Sequence, residues 1–390
     1  MISVEKALEL TDTSIQKTNS IITIPISNAL DHVLANDIAS PIDMPPFRQS
    51  AMDGYALGSI EEKEFEYIGE IKAGDDLDPS IRKGQAIRIF TGAPVPSGAK
   101  SVIMQEKVNA TRERILLQEH AIDNANIRPI GEQIKKGQIA LPKETYITAS
   151  GVGYLATLGL THVDVYKKPS IAIIATGNEL IPPGQSLKHG EIYESNSIML
   201  ASALNKNKFA DVSCYKVEDE YSIVHSLIES TIEQYDVVLI TGGISVGDYD
   251  FVGKALTAIG VEEIFYKVKQ KPGKPLFFGK KQEKTIFALP GNPGSALSCF
   301  YMYVLPALFK ISGKKHTLNR ITSISTSEYS KKGQRSEFLK AVVEGNEVTI
   351  LDGQASSMLR SFALANALVY LPEDTTEVKI GDALQVILLP

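Results

Sequence analysis

Strand and helix alternate at βαβ length between residues 169 and 315, and short β-prone runs lie on both sides of that stretch. Together these predict a multidomain α/β plus β protein built around a doubly wound, mostly parallel sheet. Length is the second ground: 390 residues exceed what one hydrophobic core can serve, so roughly two to four domains are expected. The third is a change of character at about residues 49 and 140, where helical pieces give way to β-type patterning and then return, as for a β domain inserted into a helical one.

In chain order, SVEKALEL (3–10) opens with a capping serine and sets Val4, Ala7 and Leu8 at helical spacing. The runs FEYIGEI, AIRIF, SVIMQE and RILLQ follow, separated by the turn signals AGDD, GAPVPSG and NATRER. TYITASGVGYLATLGL (145–160) is a second helix, opened by Thr148 and closed at Gly159. Beyond the linker KKPS, strands are predicted at IAIIA (171–175), VSCYKV (212–217), VVLIT (237–241), IFYKV (264–268) and TIFAL (285–289). Helices at 196–207 and 220–234 separate several of them, the second with Ile223, Val224, Leu227 and Ile228 on one face. Ligands of such a sheet bind at the carboxyl ends of its strands. The last 75 or so residues return to β patterning in SEFLKAVVEG, EVTIL, ALVYLP and ALQVILL, with a short helical piece near SSMLRSFALA.

Composition narrows the function. Hydrophobic residues make up 43% and charged ones 22%, ordinary globular usage, so the chain is expected to fold throughout. The net charge of −6 argues against a general nucleic-acid surface. The N-terminus lacks the regions of a signal peptide and no apolar run of bilayer length is evident, so a cytoplasmic protein without membrane association is expected. Cys214 and Cys299 have no CxxC or histidine-spaced partner, and both read as small buried hydrophobes. The six histidines lie outside the glycine-rich loops, so no Ser-His-Asp or Cys-His arrangement is indicated.

Four polar signals fall at or near strand ends of the α/β stretch. ATGNEL (175–180) places Gly177 in a tight turn and Glu179 near the top of the sheet; alone, Glu179 is a solvated loop acid. VEDE (217–220) puts Asp219 between strand and helix, where capping is the bland role and metal coordination the sharp one. TGGISVGDYD (241–250) offers backbone N–H groups around Gly242, Gly243 and Gly247 and the hydroxyls of Thr241 and Ser245 to an anion. Asp248 and Asp250 would repel that anion unless a cation lay between them. The loop is neither a Walker A motif nor a GxGxxG fingerprint. Finally, lysines 267, 269, 271 and 274 alternate beside a Pro-Gly turn, and LPGNPGSAL (289–297) sets glycines before an apolar helix. An edge strand explains the lysines equally well. Two cradles, a lysine row and three carboxylates suggest a phosphate-bearing substrate and a divalent ion.

SAMDGYA (50–56), RIFTGAPVP (88–96), IATGNEL, TGGISVGDYD, KPGKP and LPGNP, in this order, resemble the molybdopterin molybdenumtransferase family, which includes MoeA and the gephyrin E domain. SSMLRSFALANAL resembles the family's C-terminal module. The resemblance implies a discontinuous helical domain (1–48 and 141–168), an inserted β domain (49–140), an α/β molybdopterin-binding domain (169–315) and a C-terminal small β-barrel (316–390). It implies molybdenum insertion from molybdate into adenylylated molybdopterin with release of AMP, dependent on Mg²⁺, in a homodimer whose site is shared between subunits. The upstream adenylyltransferase becomes an expected partner.

By motif, the resemblance makes Asp53, Glu179, Asp219, Asp250, Lys271 and Lys274 the catalytic set, with Asp53 reaching in from the partner subunit. Glu179, Asp219 and Asp250 are the expected metal ligands. Thr176, Gly177, Gly242, Gly243, Ser245, Gly247, Lys267, Pro290, Gly291, Asn292 and Pro293 are the expected substrate-binding positions. Two departures stand out: RPIGEQ has Gln133 where the family often carries a carboxylate, and PGNPGS has Gly294 where it has valine, which is expected to loosen that cradle. The rivals are the adenylyltransferase one step earlier, typically a single domain, and a non-catalytic pterin-binding or scaffold protein.

Overall fold

The computed structural model describes residues 1–244, 251–315 and 318–390. Two compact units divide the chain: residues 1–22, 31–33 and 166–390 form one, and 23–30 with 34–165 the other.

The larger unit is built on a six-stranded sheet. Its order is Val212–Val217, Ile171–Thr176, Val237–Thr241, Lys284–Leu289, Phe277–Lys281, Glu262–Tyr266. The first four strands are parallel and the last two antiparallel. Ile171–Thr176 is buried along its whole length, and its side chains divide by parity as a pleated strand requires. Ile171 and Ile173 join Val237, Leu239 and Leu200 in one core, whereas Ala172 and Ile174 join Val238, Val224 and Ile228 in another. A sheet with helices on both faces needs such continuous apolar strands.

The helix Val4–Ser14 starts at Ser3, whose hydroxyl accepts from the Lys6 amide. It buries Val4 and Ala7 in the first of those cores. The same core holds the continuous helix Pro293–Ile311, whose middle stretch Phe300–Val304 is a π-segment. By length and composition this helix could cross a membrane, which the sequence reading did not detect, but 78% of it is buried inside the protein. After residue 318 the chain closes a small barrel of Arg320–Ser325, Ser336–Glu344, Glu347–Ile350, Ala367–Leu371 and Ala383–Leu388, with Ser336–Glu344 pairing Ala367–Leu371 to complete the ring.

Two expectations are corrected here. Cys214 is exposed, because Val212–Val217 is an edge strand, while Cys299 is buried. The strand expected over 264–268 stops at Tyr266, since Lys267 adopts φ 68°, outside the β region.

The smaller unit carries a six-stranded sheet in the order Ser101–Met104, Gly54–Leu57, Gln85–Ile89, Glu64–Ile71, Arg114–Leu117, Val108–Ala110. Ala56, Ile87 and Ile89 pack on one face, and Tyr55, Leu57 and Ala86 on the other. A third core gathers Ala29, Leu34, Ile147 and Leu155 around the helix Ala149–Thr157, whose N-cap is Thr148.

Candidate active site

Four parallel strands end at one edge of the larger unit, and a cleft of 840 Å³ lies there. Thr176 and Thr241 are the last residues of their strands, and Asp219 follows the strand Val212–Val217. Gly242 and Gly243 turn the chain away from the sheet at φ 84° and 60°. A Cβ on Gly242 would stand 2.5 Å from the Thr176 carbonyl oxygen, and one on Gly243 2.7 Å from the Thr176 hydroxyl. Glycine is thus required where these two strand ends meet. Gly177 plays a related part at φ 151°, where a Cβ would come within 2.9 Å of the Glu179 carboxylate.

Five buried side-chain oxygens lack a hydrogen-bond partner among the described residues, and four belong to this cleft: Thr176 Oγ1, Asn196 Oδ1, Asp219 Oδ1 and Thr241 Oγ1. Native proteins rarely leave such groups unsatisfied, and a cluster of them marks a place where something else binds. Burial raises the Asp219 carboxyl above the ordinary range and the Glu179 charge adds to this; the Thr176 hydroxyl offsets part of it without a hydrogen bond of normal geometry. Asp219 caps no helix: the N-cap of Tyr221–Gln234 is Glu220, and Asp219 is held by its amide donating to Asn178 Oδ1 at 2.9 Å. Buried Glu194 lines the cleft as well, accepting from the amide and the hydroxyl of Ser197 at the start of the helix Asn196–Lys206.

The cations come from a different quarter. Lys271 and Lys274 flank the Pro272–Gly273 turn, and Arg335 precedes the barrel strand Ser336–Glu344. Glu337, 1% exposed, accepts from Lys271 Nζ at 2.9 Å and from Tyr329 Oη at 2.7 Å. Fully buried Gln270 holds the turn: its amide donates to the Gly273 carbonyl at 3.1 Å and its oxygen accepts from Tyr303 Oη at 2.5 Å. Arg335 in turn donates to the Gln270 carbonyl at 3.2 Å. Lys274 makes no ion pair among the described residues.

The lysine row therefore splits. Lys267 does not line the cleft, its ammonium lying 4.5 Å over the Tyr266 ring, and Lys269 pairs with Glu373 at 3.7 Å. Only Gln270–Lys271 is strand, paired with Ser336–Glu337 of the barrel, so the alternation expected of one edge strand does not arise. Pro290, Gly291, Asn292 and Pro293 line the cleft, with the Gly291 carbonyl accepting from Asn196 Nδ2 at 2.7 Å. Gly294 does not loosen this turn. Its amide donates to the Ser356 carbonyl at 2.9 Å, and a Cβ there would lie 2.7 Å from that oxygen.

Asp53 belongs to the smaller unit, exposed, where it accepts from the amide and hydroxyl of Thr91 at 2.7 Å each. Those two bonds, with Arg88 nearby, hold its carboxyl below the ordinary range. Ser245, Gly247, Asp248 and Asp250 lie outside the described residues. Sequence reasoning missed Asn196, Glu194, Arg335, Gln354 and Ser356, which line the cleft without any glycine-rich signal beside them. Only the resemblance of SSMLRSFALANAL pointed toward the last of these.

Residues 2–159 match the MoeA N-terminal region (domains I and II), 172–310 a probable molybdopterin-binding domain, and 322–389 the MoeA C-terminal region (domain IV). A molybdopterin molybdenumtransferase of Staphylococcus epidermidis is 34% identical over 381 residues, covering 94% of this chain and 91% of its own. The Staphylococcus aureus protein of that name is 31% identical over 387 residues, at 96% and 92% coverage. Among solved structures, the molybdopterin biosynthesis MoeA protein of Pyrococcus horikoshii OT3 superimposes with a TM-score of 0.85 at 30% identity over the whole of both chains. A Pyrococcus furiosus molybdenum cofactor biosynthesis protein, 20% identical with a TM-score of 0.63 over the whole of both chains, has the same fold.

Proposed function

We propose a division of labour in the cleft from the premise that this chain belongs to the MoeA family of molybdopterin molybdenumtransferases and inserts molybdenum into molybdopterin in molybdenum cofactor biosynthesis. The observation that carries the proposal is the gathering of four unpartnered buried oxygens and three cationic side chains in one cleft at the strand ends. Unsatisfied groups beside cations suit a substrate that is both polar and anionic.

The substrates are adenylylated molybdopterin and molybdate. The Gly243 N–H and the Pro290–Pro293 turn cradle phosphate oxygens, while the Thr176 and Thr241 hydroxyls and Asn196 meet the pterin end. Lys271, Lys274 and Arg335 face the molybdate and the charge that develops as the phosphoanhydride is hydrolysed to AMP. Such fixed cations need no reorganisation at the moment of reaction, and their effect is strongest where water is excluded. Glu337 keeps the Lys271 ammonium aimed.

Among the described residues no three acidic, histidine or cysteine side chains converge as a metal cluster. Glu179 and Asp219 nonetheless fit a hard divalent cation: the donors are all oxygen, and Asp219 Oδ1 is buried with no hydrogen-bond partner among the described residues. Mg²⁺ commonly binds through one or two carboxylates and substrate phosphates. Held by Glu179 and Asp219, with Asp250 as the third expected ligand, it would neutralise the phosphoanhydride oxygens. The protein acts as a cytoplasmic homodimer, Asp53 entering the partner's cleft, and receives its substrate from the adenylyltransferase that precedes it. The matches at both ends of the chain, 2–159 and 322–389, speak against a role one step earlier.

The test is AMP release from adenylylated molybdopterin by the purified protein, with and without molybdate and Mg²⁺. Release that requires both supports the assignment. Adenylylation of bare molybdopterin from ATP, or binding of the substrate with no release, would overturn it.

A further inference from the structure

Lys340 lies on the barrel strand Ser336–Glu344 and is 3% exposed. Its ammonium donates to three carbonyls of one loop: Gly353 at 2.7 Å, Ala355 at 3.2 Å and Met358 at 3.2 Å. No carboxylate pairs with it among the described residues, and burial pulls its pKa below the ordinary lysine range with no acid to counter the effect. A buried cation without a counter-ion is expensive to keep. A plain loop could be held by neutral groups, so the expense calls for a purpose.

The loop supplies one. Gln354, Ser356 and Ser357 line the cleft. Gln354 is fixed from behind by the Lys340 backbone, its amide donating to the Lys340 carbonyl at 2.8 Å and its oxygen accepting from the Lys340 amide at 3.0 Å. On the opposite side Ser356 meets the Pro290–Gly294 turn: its carbonyl accepts from the Gly294 amide at 2.9 Å and its hydroxyl from Asn292 Nδ2 at 2.9 Å. The 353–354 and 355–356 peptides are trans, and in a planar trans peptide C=O and the following N–H point in opposite directions. Drawing the Gly353 and Ala355 carbonyls toward Lys340 therefore turns the Gln354 and Ser356 amides away from it, and neither has an acceptor among the described residues.

We propose that Lys340 is a positioning residue for the insertion reaction: from the outer face of its barrel strand, opposite Leu339 and Ala341 of the barrel core, it clamps the 353–358 loop against the Pro290–Gly294 turn and so sets the wall of the cleft that molybdate meets. The inference rests on the reading of this cleft as the oxyanion site. Gly294 is the other jaw of the clamp, because only a residue without a side chain admits the Ser356 carbonyl so close.

The experiment compares wild type with Lys340→Met, Gly294→Ala and Arg335→Ala in molybdate-dependent AMP release, with hydrogen–deuterium exchange of each protein alongside. Lys340→Met is expected to raise KM for molybdate about tenfold, equivalent to roughly 1.4 kcal/mol, while kcat changes less than about threefold. Exchange should quicken in the peptide covering 353–358 and stay as in wild type in the strand 237–241. Gly294→Ala leaves every polar group in place and pushes the same loop from the other side, so it should move KM in the same direction; it decides the matter if Lys340→Met does not fold. Unchanged KM in the folded variants, or a uniform loss with quickened exchange everywhere, overturns the positioning role. If Arg335→Ala raises KM and the clamp variants do not, only the clamp fails; if Arg335→Ala also leaves KM unchanged, the reading of the cleft fails with it.

Discussion

At the residue scale, Asp219 carries the clearest consequence. Burial raises its folded carboxyl pKa above that of the unfolded chain, so the ionised form opposes folding. That penalty is absent below the ordinary carboxylate range, grows as pH rises through the folded pKa and is fully present at neutral pH. Asp219→Asn is therefore expected to stabilise the ligand-free protein at pH 7 by no more than about 1 kcal/mol, because water reaches the half-buried group, and so to raise its melting temperature. The gain should shrink toward about pH 4, while AMP release falls sharply at both. Equal melting curves at pH 7 would show that Asp219 bears no such strain. Glu179, Lys271 and Lys274 were legible because each sits close to a glycine or proline signal, and Asp219 because it falls between a strand and a helix. Arg335 and Asn196 were not, since a lone polar residue at the edge of a strand or helix looks the same whether it faces a cleft or solvent.

At the scale of elements, the strand ends do most of the work. Boundaries at VSCYKV and VVLIT read from sequence agree with the structure to the residue, because a buried parallel strand is an unbroken apolar run closed by a turn signal. The lysine row failed as a strand for the complementary reason: nothing in KVKQKPGKP announces that Lys267 turns left-handed and that only two residues pair with the barrel. Gly242 tests the close approach of Ile171–Thr176 and Val237–Thr241. Gly242→Ala must hold a side chain at φ 84° within 2.5 Å of a carbonyl oxygen. A loss of about 2–3 kcal/mol is expected from the combined strain and clash, seen as a lower denaturation midpoint with an unchanged m-value. A midpoint equal to wild type would mean that the two strand ends can part without penalty.

At the scale of the whole molecule, the shared-site proposal makes a quantitative demand. Asp53 and Asp219 would act in the same cleft from different subunits, so Asp53→Ala and Asp219→Ala homodimers should each be nearly inactive. Unfolded together and reassembled, half the dimers are mixed and each mixed dimer has one intact site, restoring about a quarter of wild-type activity. No recovery from demonstrated mixed dimers would place both carboxylates in the same subunit's site. The doubly wound sheet was legible from the alternation of strand and helix. The C-terminal barrel was legible only through the family resemblance, because the pairing of Ser336–Glu344 with Ala367–Leu371 that closes it joins segments no local pattern links.

The helix Pro293–Ile311 has one more consequence, during translation. Its core neighbours include Phe338, Phe362, Leu368 and Ile387, all made after it. At about 5–20 residues per second, the ribosome leaves this long apolar helix without its cover for roughly several seconds. The nascent chain must then be shielded by chaperones or risk aggregation. A chain stopped after residue 315 should accumulate in inclusion bodies even though every strand of the α/β sheet has been synthesised, and co-expressing residues 316–390 as a separate piece should restore part of it to solution.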